Sequence, residues 1–277
     1  MLSKITFTPA VGSAVDLHAS TGSYQVSRTE GIVGPPDPRE VNRIAPGRDG
    51  SLDDTRFINE RRITLEGEIL GSSQSDVWTK WDALAAAFQS TLLSKGTLKI
   101  TLPDGTTERQ ASVVLTGAAQ PSFEGGNNYL QYQVNFRAPD PRWYGTTLNT
   151  QAKSISGGTG STSGTITNAG NAPTSPKFTF GGSDSISIVR VTVPTAYASL
   201  SPQGENIDLI AGSSGVFSVD ANSYIDCLTR TAKFASGGMS ATTEWPVLYP
   251  GSSTWSWGSA SVAGTHTTTI SWYDAWW

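Results

Sequence analysis

The chain has 277 residues and a formal net charge of −4, with 37% hydrophobic and 15% charged residues. This length accommodates two domains or one large β domain, and the composition is too apolar for a disordered chain. Because there is no basic excess, a general nucleic-acid-binding protein is not expected.

The sequence carries no signal for a membrane or an oxidising compartment. Met1–Phe7 lacks a charged region followed by an apolar segment, so no signal peptide is expected. No run approaches the roughly 18 apolar residues of a membrane helix. Cys227 is the single cysteine, which excludes an internal disulfide framework, and we expect it to be a small packed side chain. We therefore expect a protein made in the cytoplasm, without membrane insertion.

The first predicted elements are short strands followed by a long polar segment. Alternating apolar residues predict strands at Ile5–Phe7 and Tyr24–Val26. Gly31–Pro38 cannot form a central strand, because its prolines lack amide donors. From Ile32 to Thr55 the chain is mostly polar, and a segment of this length is either disordered or a functional arm.

A strand and the single predicted helix follow. Strict alternation over Arg61–Leu70 predicts a strand. The period then changes to that of a helix, which Ser75 is predicted to cap. Its apolar stripe consists of Val77, Trp78, Trp81, Leu84, Ala85 and Phe88. Because both tryptophans fall on this stripe, we expect them in the core and not on a ligand platform.

The first half ends in a proline-rich segment. Strands are predicted at residues 97–102, 110–115 and 129–136, and in the last of these Tyr132, Val134 and Phe136 share one face. Pro139 and Pro141 then take the chain out of the sheet, because neither can donate a backbone hydrogen bond. We expect an interdomain seam here that involves Pro139, Pro141, Trp143 and Tyr144. It separates a first domain of residues 1–145 from a second of residues 146–277.

The second half has the pattern of an all-β domain. Residues 151–164 are rich in Gly, Ser and Thr and form either a linker or a loose edge of this domain. Strands are predicted at residues 177–180, 186–193, 205–210, 215–220, 224–228, 253–257 and 267–272. Their spacing indicates a β-sandwich of roughly 110–130 residues. The predicted fold class is mainly β, with α+β character in the first half: a β-sandwich-like domain with one helix, then a β-sandwich.

The sequence shows no constellation of catalytic residues. The two histidines, His18 and His266, lie far apart, and no hydrolase, metal-binding, phosphate-binding or dinucleotide motif is present. Glu66 and Glu68 share a strand face that we expect to be solvated, so a glycosidase pair is disfavoured. Asp140 lies between two prolines, where a structural turn is expected. We therefore expect no enzyme, no cofactor and no metal.

Charged residues around the polar segment are candidates for a subunit interface. The candidates are Arg39, Arg43, Arg48, Asp49, Arg56 and Arg61. Arginines alternate here with carboxylates, which is not typical of a DNA-binding patch. They form either reciprocal ion pairs with a neighbouring copy or an ordinary solvated face whose pairs contribute little.

Tryptophans concentrate near the end of the chain, at positions 245, 255, 257, 272, 276 and 277. Aromatic platforms bind sugars, so carbohydrate binding is one interpretation. Trp255 and Trp257 share one strand face, as Ile270 and Trp272 do, which favours core packing. Trp276 and Trp277 are hard to bury at a chain end, and we expect them to dock against their own domain or another protein.

Several short motifs occur in a distinctive order. In the first half they are Gly31–Pro36, Asp49-Gly50, Arg62–Gly67, Trp81–Leu84, Leu98–Ile100 and Phe136–Pro141. In the second half they are Asn168–Thr174, Pro176–Phe178, Leu248–Gly251 and Trp272–Trp277. In this order they resemble the distal tail protein family of long-tailed, non-contractile bacteriophages, over nearly the whole chain.

This resemblance implies a structural protein of the virion. Members of the family form a ring, typically of six copies, that joins the tail tube to the tail-tip hub and lets DNA pass through its lumen. The first domain is implied to form the ring and the second, galectin-like, domain to project outward. Implied partners are other copies, the tail tube protein and the hub protein, with the tape measure protein and receptor-binding components as further candidates.

Three expectations follow from the resemblance. The segment from Ile32 to Thr55 reaches a neighbouring subunit, and Trp143 and Tyr144 set the angle at which the second domain projects. The chain is assembled into the phage tail in the host cytoplasm. The alternative functions are a carbohydrate-binding adhesin that contacts the host surface and, third, a hydrolase acting on cell-wall material.

Overall fold

The computed structural model of the protein describes residues 2–39, 43–44, 51–52, 57–122, 128–181, 184–192, 206–210, 217–219, 223–234 and 245–277. The chain divides into two compact units, residues 1–144 with Trp277 and residues 145–276. Both units consist mainly of antiparallel strands, and the one helix of the described residues lies in the first unit. The prediction of a mainly β protein with a single helix in its first half is confirmed for these residues.

The first unit contains thirteen described strands and one helix, α1 (Gln74–Gln89). The strands are β1 (Lys4–Thr8), β2 (Val15–His18), β3 (Tyr24–Glu30), β4 (Pro38–Arg39), β5 (Arg43–Ile44), β6 (Ser51–Leu52), β7 (Phe57–Ile58), β8 (Arg61–Leu70), β9 (Gly96–Thr101), β10 (Glu108–Leu115), β11 (Gln120–Ser122), β12 (Tyr129–Ala138) and β13 (Trp143–Gly145).

Strand β10 connects the two sheets of this unit. Glu108–Val113 pair with β9, whereas Val114 and Leu115 pair with β12. Beyond β9 lie β1 and β2, and beyond β12 lie β8 and β3. A strand that passes from one sheet to the other forms a corner of a β-sandwich.

The strand register explains the core of the first unit. Ile63 on β8 lies opposite Phe136 on β12, and Leu65 lies opposite Val134. All four side chains are at most 1% exposed. Burial of each such side chain contributes about 1.5–3 kcal/mol to folding. The alternation seen in the sequence therefore reflects one strand face that is turned into the core.

Helix α1 begins two residues earlier than predicted. Ser73 has the extended backbone that an N-cap requires, and its hydroxyl accepts a hydrogen bond from the Asp76 amide at 3.2 Å. The prediction that Ser75 caps the helix is wrong, because Ser75 already lies inside it.

The helix packs on the sheet through a narrow apolar stripe. Its buried residues are Val77, Trp81, Leu84 and Phe88. The Phe88 ring lies 5.3 Å from Phe7 on β1 and 5.8 Å from Phe136 on β12. Trp78 is 41% exposed, so its predicted core position is wrong. One residue after Val77 is about 100° further around the helix, which places Trp78 outside the stripe.

The second unit contains the remaining strands. They are β14 (Asn149–Asn168), β15 (Lys177–Gly181), β16 (Asp184–Thr192), β17 (Asn206–Ile210), β18 (Phe217–Val219), β19 (Tyr224–Asp226), β20 (Thr231–Lys233), β21 (Gly251–Trp272) and β22 (Ala275–Trp276). The sheet order is β17-β16-β21-β15-β19-β20, with β14 paired to β21 and β18 to β16.

Two long strands form the backbone of this unit. β14 pairs with β21 from Asn149 opposite Trp272 to Asn168 opposite Gly251. The linker interpretation of residues 151–164 is therefore wrong, since these residues form part of an edge strand. The strands predicted at residues 253–257 and 267–272 are also one continuous strand, β21.

The long ribbon bends back on itself. Gln151 donates a hydrogen bond from Nε2 to the Thr165 carbonyl at 2.8 Å, and its Oε1 accepts from the Trp255 indole. Fourteen residues of straight strand span about 45 Å, so this contact requires β14 to curve. Register shifts between Ser156 and Gly160 mark where it does so.

A tightly bonded corner lies where β14 ends. Asn168 is 2% exposed, and its Nδ2 donates to the carbonyls of Ala172 at 2.8 Å and Leu248 at 3.1 Å. Its Oδ1 accepts from the amides of Gly170 at 3.1 Å and Ala275 at 3.3 Å. The amide group thus uses both donors and both lone pairs of its oxygen. This Asn168 corner ties the final strand, β22, to the sandwich.

Candidate functional site

The polar segment of the first unit contains two pairs of short antiparallel strands. β4 pairs antiparallel with β7, and further along β5 pairs antiparallel with β6. Directly before β4 and after β7, the Asn59 amide donates to the Asp37 carbonyl at 3.0 Å. The β5–β6 pair is thus nested in sequence within the β4–β7 pair. We call β4–β7 the arm, and residues 31–37 and 59–61 its root.

The predicted interface residues fall in different places. Arg39 lies on β4 with an exposed side chain, and Arg43 contributes its backbone to β5. Arg48, Asp49 and Arg56 lie outside the described residues. Arg61, in contrast, is only 2% exposed within the first unit. A buried Arg61 does not present its guanidinium to a carboxylate on a neighbouring copy, and this part of the prediction is corrected.

Arg61 joins three separate backbone segments. Its Nε donates to the Pro141 carbonyl at 2.7 Å, and its Nη1 donates to the carbonyls of Gly31 at 2.8 Å and Gly34 at 3.0 Å. Burial lowers the pKa of the guanidinium below its usual value. Its Nη2 is buried without a hydrogen-bond partner among the described residues. An unpaired buried donor of this kind costs about 1–3 kcal/mol.

Trp143 completes the contact between the root and the end of the first unit. The side chain is 1% exposed, and its indole nitrogen donates to the Ile32 carbonyl at 3.0 Å. The Arg61 guanidinium carbon lies 5.8 Å from the centre of the Trp143 ring, within the range of a cation–π contact. The carbonyls of Gly31, Ile32 and Gly34 are therefore all hydrogen-bonded by Arg61 or Trp143.

The root turn depends on glycine. Gly31 and Gly34 have φ values of +73° and +86°, a conformation that other residues rarely adopt. A Cβ on Gly31 would lie 1.8 Å from the Arg62 carbonyl oxygen, so no side chain fits there. The motif Gly31–Pro36 is thus a turn that places its carbonyls against Arg61 and Trp143.

A second polar cluster lies within the proline-rich segment. The two oxygens of Asp140 accept from Arg142 Nε at 2.7 Å and Nη2 at 2.9 Å, and from the Tyr144 hydroxyl at 2.6 Å. Burial lowers the pKa of Arg142, but the hydrogen bond and charge of Asp140 outweigh it and raise that pKa overall. Burial also raises the pKa of Tyr144. The carboxylate of Asp140 is therefore held by structural bonds, which agrees with the predicted turn.

A groove lies beside the arm root. It has a volume of about 500 Å³ and is lined from both sides of the root, by residues between Gly31 and Asp37 and between Asn59 and Arg62. Glu60, on its wall, pairs with Arg137 at 3.0 Å. The root, which Arg61 and Trp143 hold through hydrogen bonds, thus also borders open space.

The candidate residues of the second unit are mostly core residues. Trp255 and Trp257 are fully buried and Trp272 is 7% exposed, so these three offer no sugar platform. His266 is also fully buried and lies 5.0 Å from the Trp257 ring. Cys227 is buried as predicted, and burial raises the pKa of its thiol. None of these groups is placed for solution chemistry.

The catalytic candidates of the first unit have structural contacts. His18 accepts a hydrogen bond from the Val26 amide at 3.2 Å, and Glu66 lies 3.7 Å from Arg28. Within the described ranges, no group of three or more His, Cys, Asp or Glu side chains is arranged to hold a metal ion. No helix in those ranges has the length and apolar character needed to cross a bilayer.

Known structures match the fold of this chain along nearly its whole length. The chain is similar to the Dit protein of phage SPP1, a paradigm of the hub adsorption apparatus of phages that infect Gram-positive bacteria. The TM-score is 0.59 at 14% identity, covering 96% of this chain and 98% of that one. It is also similar to a chain of the phage P2 baseplate in its activated conformation with calcium, with a TM-score of 0.49 at 10% identity and 98% of each chain covered. No family model and no curated protein sequence matches the chain.

The likeness to SPP1 Dit is one of fold, because only 14% of the residues are identical. At the level of the fold, the resemblance to distal tail proteins inferred from the motif order is confirmed. The role of Arg61 was missed, although the sequence carried a signal for it. Arg61 lies on the same face of β8 as Ile63 and Leu65, and that alternation places it in the core.

Proposed function

We propose that this protein is a structural component of a phage tail tip, where six copies form a ring that joins the tail tube to the tail-tip hub. The observation that carries the proposal is the shared fold with SPP1 Dit over 96% of the chain. The structural roles of Asp140, His18 and His266 are in line with a protein that performs no catalysis.

In this proposal the two domains have different tasks. The first domain, residues 1–145, forms the ring, and DNA passes through its lumen without being read. The second, residues 146–277, is a galectin-like sandwich that projects outward. Other copies, the tail tube protein and the hub protein are the expected partners, with the tape measure protein and receptor-binding components as further ones. The protein acts in the virion after assembly in the host cytoplasm.

The arm is the element proposed to reach a neighbouring copy. It carries Arg39 and Arg43 and leaves the first unit as paired strands, and such strands have backbone groups available for pairing. Its root is held by the buried contacts of Arg61 and Trp143. A fixed root limits the directions in which the arm can point, and this lowers the entropy lost when it engages a partner.

The mass of the purified assembly tests the ring. Light scattering is expected to give six times the monomer mass of 29.3 kDa, and negative-stain images are expected to show a ring. Because some rings need a partner to close, the measurement is repeated with the tail tube protein of the same phage. A strictly monomeric protein under both conditions contradicts the proposal.

An armless variant tests the role of the arm. Residues 38–58 are replaced by Asn-Gly, which makes Asp37 and Asn59 the first and fourth residues of a tight turn. Their existing hydrogen bond of 3.0 Å is the one that such a turn requires. We expect a folded chain, with unchanged circular dichroism, that no longer forms rings. Rings of unchanged mass would show that the arm is dispensable for assembly.

The structure does not favour the adhesin alternative. Three of the six tryptophans that suggested sugar binding are in the core of the second unit. A glycan array is expected to give no signal above that of an unrelated β-sandwich protein. Binding to a host cell-wall polysaccharide that is lost on substitution of Trp276 or Trp277 would revive this alternative.

A further inference from the structure

The arm root and the end of the first unit are held by the same two side chains. Arg61 bonds to Gly31 and Gly34 in the root and to Pro141 in the segment Pro139–Tyr144, which we call the exit segment. Trp143, in the exit segment, bonds to Ile32 in the root. Four hydrogen bonds thus make the position of one segment depend on that of the other.

This network is buried but incomplete. Arg61 is 2% exposed and Trp143 is 1% exposed, so neither can exchange a lost bond for one to water without opening. Nη2 of Arg61 has no partner among the described residues. Hydrogen bonds in such a buried network are strong, so loss of one bond has a large effect on the others.

The root is packed on Trp143 and also borders open space. A groove of about 500 Å³ is lined by both segments of the root, including Arg61, while Trp143 bonds to Ile32. A packed interior changes between discrete arrangements and does not deform continuously. A root that changes its position must therefore break or remake its bonds to Arg61 and Trp143.

We propose that Arg61 and Trp143 couple the arm to the exit segment, so that engagement of the arm by a second copy is transmitted to the start of the second domain. Arg61 and Trp143 are positioning residues in this mechanism and contact no partner themselves. The identity of the arm's partner rests on the ring proposed above, but the coupling within one chain does not. By linkage, a change in the exit segment alters the arm to the same extent.

Hydrogen–deuterium exchange on the full-length monomer measures this coupling. Trp143→Phe removes the bond to Ile32 while keeping an aromatic ring, and it is expected to speed amide exchange in the arm by about 2- to 30-fold. Arg61→Gln is expected to do the same. Tyr144→Phe is the matched control, because Tyr144 also lies in the exit segment and this substitution removes the hydroxyl that donates to Asp140 at 2.6 Å.

The reverse experiment uses the armless variant. Removal of the arm is expected to change exchange at Trp143 and Tyr144 in the wild-type background and to have a smaller effect in the Arg61→Gln background, where only the bond from Trp143 to Ile32 remains. Trp143→Phe keeps the test valid if Arg61→Gln does not fold. Unchanged arm exchange in Trp143→Phe, or an equal increase in Tyr144→Phe, would overturn the coupling. Because all of this is measured on monomers, failure of ring formation leaves the result unaffected.

Discussion

Each unit contains one buried polar side chain that gathers distant backbone segments, and the two differ in how completely they are bonded. Asn168 in the second unit is neutral and uses two donors and two acceptor positions on four backbone groups. Arg61 in the first unit is charged, bonds to three carbonyls and has one nitrogen without a partner in the described part of the chain. The side chain of Asn168 is thus fully hydrogen-bonded, whereas that of Arg61 is only partly so.

The difference indicates where each unit is expected to be rigid. A fully satisfied amide has one favourable arrangement, so the Asn168 corner fixes the end of the chain against the sandwich. A buried charge without a carboxylate partner contributes less net stability than its number of bonds suggests. The arm root is therefore expected to be held less firmly than the Asn168 corner.

The largest expected effect comes from Asn168. Asn168→Ala removes four hydrogen bonds and leaves buried amides and carbonyls unpaired, which is expected to lower the free energy of unfolding of the second unit by about 3–5 kcal/mol. Urea denaturation followed by tryptophan fluorescence measures it. Asn149→Ala, at the other end of β14, is the matched control and is expected to cost less than about 1 kcal/mol.

The geometry of the Asn168 corner also predicts that a side chain at position 170 is not tolerated. A Cβ at this position would lie 1.7 Å from the Ala275 carbonyl oxygen, whereas one at Gly264 meets nothing within 4 Å. Gly170→Ala is expected to lower the unfolding midpoint strongly and Gly264→Ala to leave it nearly unchanged. Equal midpoints for the two variants would contradict the geometry of the corner.

A smaller effect is expected for Arg61. Arg61→Met removes three hydrogen bonds but also relieves an unpaired buried charge, so the first unit is expected to lose about 1–3 kcal/mol of unfolding free energy. The same urea experiment measures it. A loss as large as that of Asn168→Ala would mean that the Arg61 network is as complete as the corner, and the distinction between the two sites would fail.

The smallest effect is expected at a carboxylate that is well bonded but exposed. The Thr107 hydroxyl, followed by the amides of Thr107 and Thr106, lowers the pKa of Asp104 to about 2 from an unfolded value of 3.8. Because folding lowers the pKa of Asp104, its carboxylate stabilises the folded state above pH 3.8, and this stabilisation is lost as the pH falls toward 2. Thr107→Val is expected to raise this pKa, as measured by a carboxyl carbon NMR titration.

Local patterns in the sequence predicted much of the first unit. Alternation over residues 129–136 predicted β12 and the shared face of Val134 and Phe136, both of which are buried. Helical spacing predicted α1, but not its cap at Ser73, because neighbouring serines at 72, 73 and 75 are equivalent in sequence until the backbone selects one. The exposed position of Trp78 was likewise decided by where the helix meets the sheet.

Long-range pairing could not be predicted in the same way. Residues 151–164 have a composition typical of a linker, yet they form a strand because β21 supplies a partner along their whole length. Residues 251–272 similarly remain one strand through a bend that the composition does not indicate. In both cases the hydrogen-bond partner lies about 100 residues away, beyond the reach of any local pattern.

The sequence by itself determined the mainly β class, the single helix and the strand faces of the core, because these depend on periodicity within one element. Only the tertiary structure revealed that Arg61 bonds to three backbone carbonyls, that Trp143 bonds to the arm root and that Asn168 joins four backbone groups. Several of these contacts link residues 80 or more positions apart, as for Arg61 with Pro141 and Trp143 with Ile32. A side chain that serves distant carbonyls leaves no periodic trace, since its partners are backbone groups that every residue carries.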